Sequence, residues 1–149
     1  MLIRRMTLED IPEVVEIENQ CFSQPWSEQG FLDAIAMEQN IFLIAEEAEE
    51  LYGYIGMYQA LDEGEITNVA VKPDKRNAGI GRKLVQQAVE QAKKQQIKQI
   101  VLEVRVSNNS AIHLYEKCGF VKCGIRKGFY DFPKEDAYIM LCDCMLPES

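Results

Sequence analysis

The sequence predicts an α/β domain over residues 1–149, with a mixed sheet of about seven strands, mostly antiparallel around one central parallel pair, and about four flanking helices. Three observations lead there. A short apolar strand, Val69, Ala70 and Val71, runs through a basic, glycine-containing loop into Leu84, Val85, Ala88, Val89 and Ala92, apolar positions at helical spacing. A second strand-like run, Ile100 to Val106, follows that helix, so the two strands lie parallel with a right-handed crossover between them. The other strand-like runs are joined by short turns, which make antiparallel neighbours.

Taken in order, Leu2 to Arg5 forms the first strand. Thr7-Leu8-Glu9-Asp10 offers an N-cap with acids in the first turn, ahead of Ile11, Val14, Val15, Glu18 and Phe22 at helical spacing. After the loop Ser23 to Ser27, Ser27 caps a second helix through Phe31, Leu32 and Ile35. Ile41 to Ala45 is a strand, Glu46 to Glu50 an acidic turn, and Leu51 to Ala60 a strand containing Gly53 and Gly56. Asp62-Glu63-Gly64 turns into the central strand, whose ladder Pro73 ends because it has no N–H to donate. The long helix runs from Gly79 to near Gln96 with a Lys/Gln-rich solvent face. Asn109 to Lys117 is a short helix closed by Gly119, and Phe120 to Ile125 and Ala137 to Met145 are the last strands. No internal repeat, low-complexity stretch or linker divides the chain.

With 47% hydrophobic and 27% charged residues, the 149-residue chain has ordinary globular composition and enough length for a core. It has no run of 18 apolar residues and no signal peptide, which predicts a soluble, cytoplasmic protein that does not enter a membrane. A formal net charge of −8 argues against direct nucleic-acid binding and suits a basic partner, although acidity is also a common route to solubility. The cysteines are Cys21, Cys118, Cys123, Cys142 and Cys144, odd in number and without a CxxC pair. Reduced, mostly buried thiols are expected, with no disulfide framework and no metal.

The loop Arg76-Asn77-Ala78-Gly79-Ile80-Gly81-Arg82 is the most informative stretch. Unpaired N–H groups at a helix head, together with the helix dipole, favour a phosphate. Lys72, Lys75, Arg76, Arg82 and Lys83 add positive charge there. A P-loop would need Ser or Thr after Gly-Lys, and a dinucleotide fingerprint would need a third glycine; neither is present. The plainer alternative is a helix that merely starts at a flexible turn.

Arg76-x-x-Gly79-x-Gly81 after an apolar strand resembles the cofactor loop of the GNAT superfamily of acetyl-CoA-dependent N-acetyltransferases. Leu102-Glu103-Val104-Arg105-Val106-Ser107-Asn108, Ala111-Ile112-x-Leu114-Tyr115-x-x-x-Gly119-Phe120 and Glu135-Asp136-Ala137 look like the bacterial ribosomal-protein-alanine branch. The resemblance covers nearly the whole chain. It implies that the parallel strands splay apart and that pantetheine enters the gap, pairing with the backbone of Val69, Ala70 and Val71 as an added strand would. Asn77, Ala78, Gly79, Ile80, Gly81 and Arg82 would hold the pyrophosphate, mainly through N–H groups. Asn77 and Ala78 are less basic than many relatives at these positions.

Glu103 sits mid-strand among apolar residues, where a carboxylate needs a reason to be. One reading pairs it with Arg105 on the same strand face; the other makes it a general base that deprotonates the acceptor amine, directly or through water. The resemblance implies the second. Tyr115 reads either as a packing aromatic or, as the resemblance implies, as the acid that reprotonates the departing thiolate. Asn108 is a helix cap, to which the resemblance adds a hydrogen bond to the cofactor. Trp26 is either a lid on the core or, with Tyr130 and Asp131 in the segment before the last strand, part of the acceptor site that the resemblance implies. His113 reads as solvent-facing, and no basic group is placed to activate Cys118 or Cys142 for a ping-pong route.

The leading expectation is acetyl transfer from acetyl-CoA to a protein N-terminus by direct attack in a ternary complex. An α-amine titrates near 7.7–8.0 and lysine near 10.4, so deprotonating lysine at neutral pH costs roughly 3.5 kcal/mol more. The resemblance suggests the N-terminal alanine of a small-subunit ribosomal protein, a basic partner for an acidic chain. The alternatives are a small-molecule amine or a lysine side chain as acceptor, and a non-catalytic acyl-CoA sensor. A sensor would need neither Glu103 nor Tyr115.

Overall fold

A computed structural model describes residues 1–146. Along the chain run β1 (Leu2–Arg5), α1 (Ile11–Cys21), α2 (Glu28–Ile35), β2 (Ile41–Glu47), β3 (Glu50–Ala60), β4 (Glu63–Val71), α3 (Ile80–Lys94), β5 (Gln99–Arg105), α4 (Asn109–Lys117), β6 (Val121–Asp131) and β7 (Lys134–Asp143). The seven strands form one sheet in the order β1-β2-β3-β4-β5-β7-β6, and only β4 and β5 run parallel. The predicted mixed sheet of seven strands and four helices is thus the observed architecture. Among the described residues, no helix is long and apolar enough to cross a membrane.

The apolar spacing decides which face each helix covers. Ile80, Leu84, Val85, Ala88, Val89 and Ala92 of α3, with Ile112 and Tyr115 of α4, pack on one face against Ile55, Met57, Ile100, Leu102, Val104 and Met140. Ile11, Val14 and Ile17 of α1, with Phe31 and Ala34 of α2, cover the opposite face over Phe42, Ile44, Tyr54 and Ala70. On β5 the side chains pointing away from α3, Val101, Glu103 and Arg105, are only half-buried. That asymmetry leaves a carboxylate at mid-strand within reach of an incoming molecule.

Two irregularities shape the centre of the sheet. Gly56 pairs with Asn68 and Met57 with Ile66, so Thr67 is an extra, bulged residue in β4. Ahead of it Ile66 faces the α3 layer; beyond it Ala70 faces α1 and α2, because a one-residue offset exchanges the two faces. The parallel ladder also stops early: it joins Glu63–Glu65 to Gln99–Val101, while β4 continues to Val71 and β5 to Arg105. From there the strands part, as the resemblance implied.

Local capping matches the sequence at two helices. Ser27 Oγ accepts from the Gly30 N–H at 3.1 Å and Asn108 Oδ1 from the Ala111 N–H at 3.2 Å. The Thr7 cap opens a short 3-10 turn, Leu8–Asp10, ahead of α1 rather than the helix itself.

The turns are tighter than expected. The acidic turn narrows to Ala48 and Glu49, both left-handed (φ 52° and 65°), while Glu46, Glu47 and Glu50 pair in the ladder. The last hairpin differs most: β6 continues past Ile125 to Asp131, and β7 begins at Lys134 and ends at Asp143. Bulged registers between Lys122 and Gly124 and between Arg126 and Tyr130 break the period-2 pattern that marks a strand in the sequence. Cys144 and Met145 lie in a turn, and Cys123 is exposed rather than buried.

Candidate active site

Where β4 and β5 separate, one backbone edge of β4 faces the opening while the other is paired to β3 through Gly53↔Val71, Tyr54↔Ala70 and Ile55↔Val69. Val69, Ala70 and Val71 therefore present an unladdered edge to the gap, the geometry an extended amide-bearing chain needs for strand addition. Beyond it the chain turns through a 3-10 turn at Pro73–Lys75 into the head of α3. Asn77 (φ 66°) and Gly79 (φ 78°) both adopt the left-handed conformation, which bends the backbone over the helix end. Nothing lies within 4 Å of where a Gly79 Cβ would sit, so this face of the loop is open. The first N–H groups of α3, from Ile80, Gly81 and Arg82, have no partner within the helix. A pyrophosphate fits this arrangement by charge and by hydrogen-bond count.

Arg76 behaves differently from its neighbours. Its Nε donates to the Val71 carbonyl at 3.2 Å and its Nη2 to Cys21 Sγ at 3.2 Å, so the guanidinium folds back onto the end of β4 and pins α1 there. Asn108 caps α4 at the end of β5, on the far side of the gap.

Glu103 lies on β5 with its side chain 15% exposed and pairs with Arg126 of β6 at 3.4 Å. The pair with Arg105, the alternative reading of Glu103, is not formed. Arg105 instead donates to the carbonyls of Pro133 (2.8 Å) and Phe132 (3.1 Å) and to Glu135 (3.2 Å), and stacks on the Tyr130 ring at 4.3 Å. Hydrogen bonding from Ser107, followed by the charge of Arg105, holds the Glu135 carboxyl below its usual range. Arg105 thus fixes the tip of the β6–β7 hairpin. Glu65 of β4 shares the face of Glu103, and burial together with the Glu103 charge pushes its carboxyl up.

Tyr115 is buried on α4 with its ring 5.8 Å from that of Phe120. Burial, then the neighbouring Tyr130, pushes its phenol well above the ordinary 10.0. Burial likewise raises Tyr130, which Arg105 lowers and the Glu103 charge raises in turn. Tyr130 thus feels the Glu103 charge and itself raises Tyr115, although Glu103 points to the face of β5 away from α3 and Tyr115 packs in the layer beside α3. Burial also raises the Cys118 thiol and pushes Cys142 up to about 12, the opposite of what a nucleophilic thiolate requires.

Trp26 packs its ring over Phe31 (5.2 Å), Tyr58 (6.0 Å) and Phe42 (6.3 Å), covering the core between sheet and α2. Its loop also reaches the hairpin: Ser23 Oγ donates to the Phe132 carbonyl at 2.8 Å. The loop between α1 and α2 and the β6–β7 tip therefore meet on the face that carries Glu103 and Arg105. Tyr130 and Asp131 are the last residues of β6, pairing with Glu135 and Lys134, and do not form the loop expected ahead of β7. His113 is exposed on α4.

Sequence reasoning missed Arg126 as the partner of Glu103, and the buried group around Glu18. Glu18 interrupts an otherwise apolar helix face, which was the available signal; Arg126 carried none, because its placement depends on the bulged register of β6.

The sequence profile described as the acetyltransferase (GNAT) family matches residues 11–120. A Bacillus subtilis protein provisionally named as a ribosomal protein bS18-alanine N-acetyltransferase is 40% identical over 139 residues, covering 93% of this chain and 92% of that one. The Escherichia coli ribosomal protein bS18-alanine N-acetyltransferase is 33% identical, covering 88% of this chain and 89% of its own. A crystal structure of the ribosomal-protein-S18-alanine N-acetyltransferase from Escherichia coli superposes with a TM-score of 0.89 at 30% identity, over 99% of this chain and 96% of that one.

Proposed function

The chain belongs to the acetyltransferase (GNAT) family, and from that premise we propose that it acetylates the α-amino group at the N-terminus of a protein, the N-terminal alanine of a small-subunit ribosomal protein, in the cytoplasm. The family uses acetyl-CoA, which supplies an activated acetyl thioester. Val69, Ala70 and Val71 would hold its pantetheine along the free edge of β4, and Asn77 to Arg82 its pyrophosphate at the head of α3, with Arg76 bracing the loop. Asn108 would add a hydrogen bond from the other side of the gap. The observation that carries this reading is the early end of the parallel ladder, beyond which β4 offers a free backbone edge leading to the phosphate-favouring head of α3.

Glu103 takes the proton of the acceptor ammonium, so that a neutral amine attacks. Arg126, on the partly exposed side of that carboxylate, keeps it oriented. Tyr115 keeps its proton because burial disfavours the phenolate, and gives it to the sulfur as the thiolate departs. Attack is direct, in a ternary complex, since the raised Cys118 and Cys142 thiols are poor relays.

An N-terminal acceptor is favoured over a lysine or a small amine by the approach to Glu103. The Ser23–Phe132 contact joins the Trp26 loop to the hairpin carrying Tyr130 and Asp131, which suits an extended chain end entering between them. A net charge of −8 suits a basic acceptor. A panel assay tests the reading: purified protein and acetyl-CoA are offered N-terminal alanine peptides, N-terminally blocked lysine peptides and polyamines, with thiol release followed. Turnover is expected on the free N-termini; preference for a polyamine would replace this reading with the small-amine one, and acetyl-CoA binding with no turnover on any amine would mark a sensor.

A further inference from the structure

Glu18 is the one acid among the fully inward positions of α1, with 2% of its surface exposed. Burying a carboxylate is costly, and an apolar residue would serve the core of a helix face better. What Glu18 does instead is gather donors from three other segments. It accepts the backbone N–H of Trp26 at 2.9 Å, the amide of Asn68 at 3.3 and 3.4 Å, and the hydroxyl of Tyr54. Those donors come from the Trp26 loop, from β4 immediately after its bulge, and from β3. A network arranged for stability would leave nothing unpaired. Here the Asn68 Oδ1 is buried without a partner among the described residues, so turning the Asn68 amide toward Glu18 costs stability.

We propose that Glu18 is a positioning residue for the acceptor, locking the Trp26 loop onto the bulge of β4 so that one buried carboxylate sets the acceptor loop relative to the donor strand. The proposal rests on the reading that this loop meets the acceptor. Asn68 and Tyr54 act through Glu18: the first ties it to the strand that begins the open edge, the second holds it from the neighbouring strand. Neither the Asn77–Arg82 loop nor Glu103 contacts this group through any of these bonds, so its loss would loosen the acceptor side selectively.

The test uses Glu18→Gln and Tyr54→Phe in the full chain, the second being isosteric and removing a single donor. Glu18→Gln should raise KM for an N-terminal peptide about tenfold or more while KM for acetyl-CoA stays within about twofold. Tyr54→Phe should move the same way by less. Trp26 is the only tryptophan, so its fluorescence reports the loop directly without any substrate. The emission of both variants should shift to the red and become more open to acrylamide quenching. An unchanged Trp26 signal, or a lowered melting midpoint with both KM values unmoved or raised alike, would overturn the proposal and leave Glu18 a core group. If Glu18→Gln does not fold, Tyr54→Phe decides. If the wild type turns over no peptide, the functional reading fails, and the fluorescence still judges the lock.

Discussion

Glu103 faces Arg126 across the sheet at 3.4 Å, and this contact shows what one residue can and cannot tell a reader of the sequence. A carboxylate alternating with Leu102 and Val104 could be recognised as an oddity from the strand period alone. Its partner could not, because β6 reaches it only through β7 and two bulges. The proposed roles predict separable kinetics. Glu103→Gln should lower kcat by about 10²–10⁴-fold with KM for acetyl-CoA unchanged. Equal kcat at every pH would remove Glu103 as the base. Tyr115→Phe should lower kcat to a similar degree. Because burial keeps this phenol protonated beyond its ordinary 10.0, no alkaline loss of kcat below that pH should disappear in the variant. A basic limb that vanishes in Tyr115→Phe would contradict that assignment.

At the scale of the element, the head of α3 and the bulge in β4 do most to form the site. The glycine loop was legible, since only a few arrangements put Gly79 and Gly81 after an apolar strand and before an amphipathic helix. The bulge was not. Thr67 looks like any exposed strand residue, and only the pairing of Gly56 with Asn68 and Met57 with Ile66 reveals the extra position. The early end of the parallel ladder came from resemblance, because hydrophobic periodicity carries no information on where two strands separate. Gly79→Ala tests the helix head. With φ at 78° and open space around the added Cβ, the cost is conformational, about 1 kcal/mol. Chemical denaturation should show a loss of that size, and calorimetry should show weaker acetyl-CoA binding with the Glu103 and Tyr115 chemistry intact. Unchanged affinity would separate the loop from the phosphate site.

Across the whole molecule, the seven strands, the four helices and the single parallel pair followed from short turns, one crossover and apolar spacing, whereas the insertion of β7 between β5 and β6 had no signal in the sequence. The β6–β7 hairpin escaped because its bulges hide the alternation. The buried titratable groups predict how stability depends on pH. Burial raises Cys142 from 9.0 to about 12, and raises Tyr54 and Tyr115 from 10.0. Each keeps its proton in the native state at a pH where the unfolded chain releases it, so the stability they contribute is complete below pH 9 and declines as pH rises toward 12. Melting midpoints should fall progressively above pH 9, and Cys142→Ala should flatten the first part of the decline. The proposed activity turns on which nitrogen receives the acetyl group. A basic peptide carrying both a free N-terminal alanine and an internal lysine is incubated with the protein and acetyl-CoA, and the acetyl position is mapped by fragmentation mass spectrometry. Acetyl on the α-amino group alone is the predicted result; acetyl on the lysine side chain would contradict it.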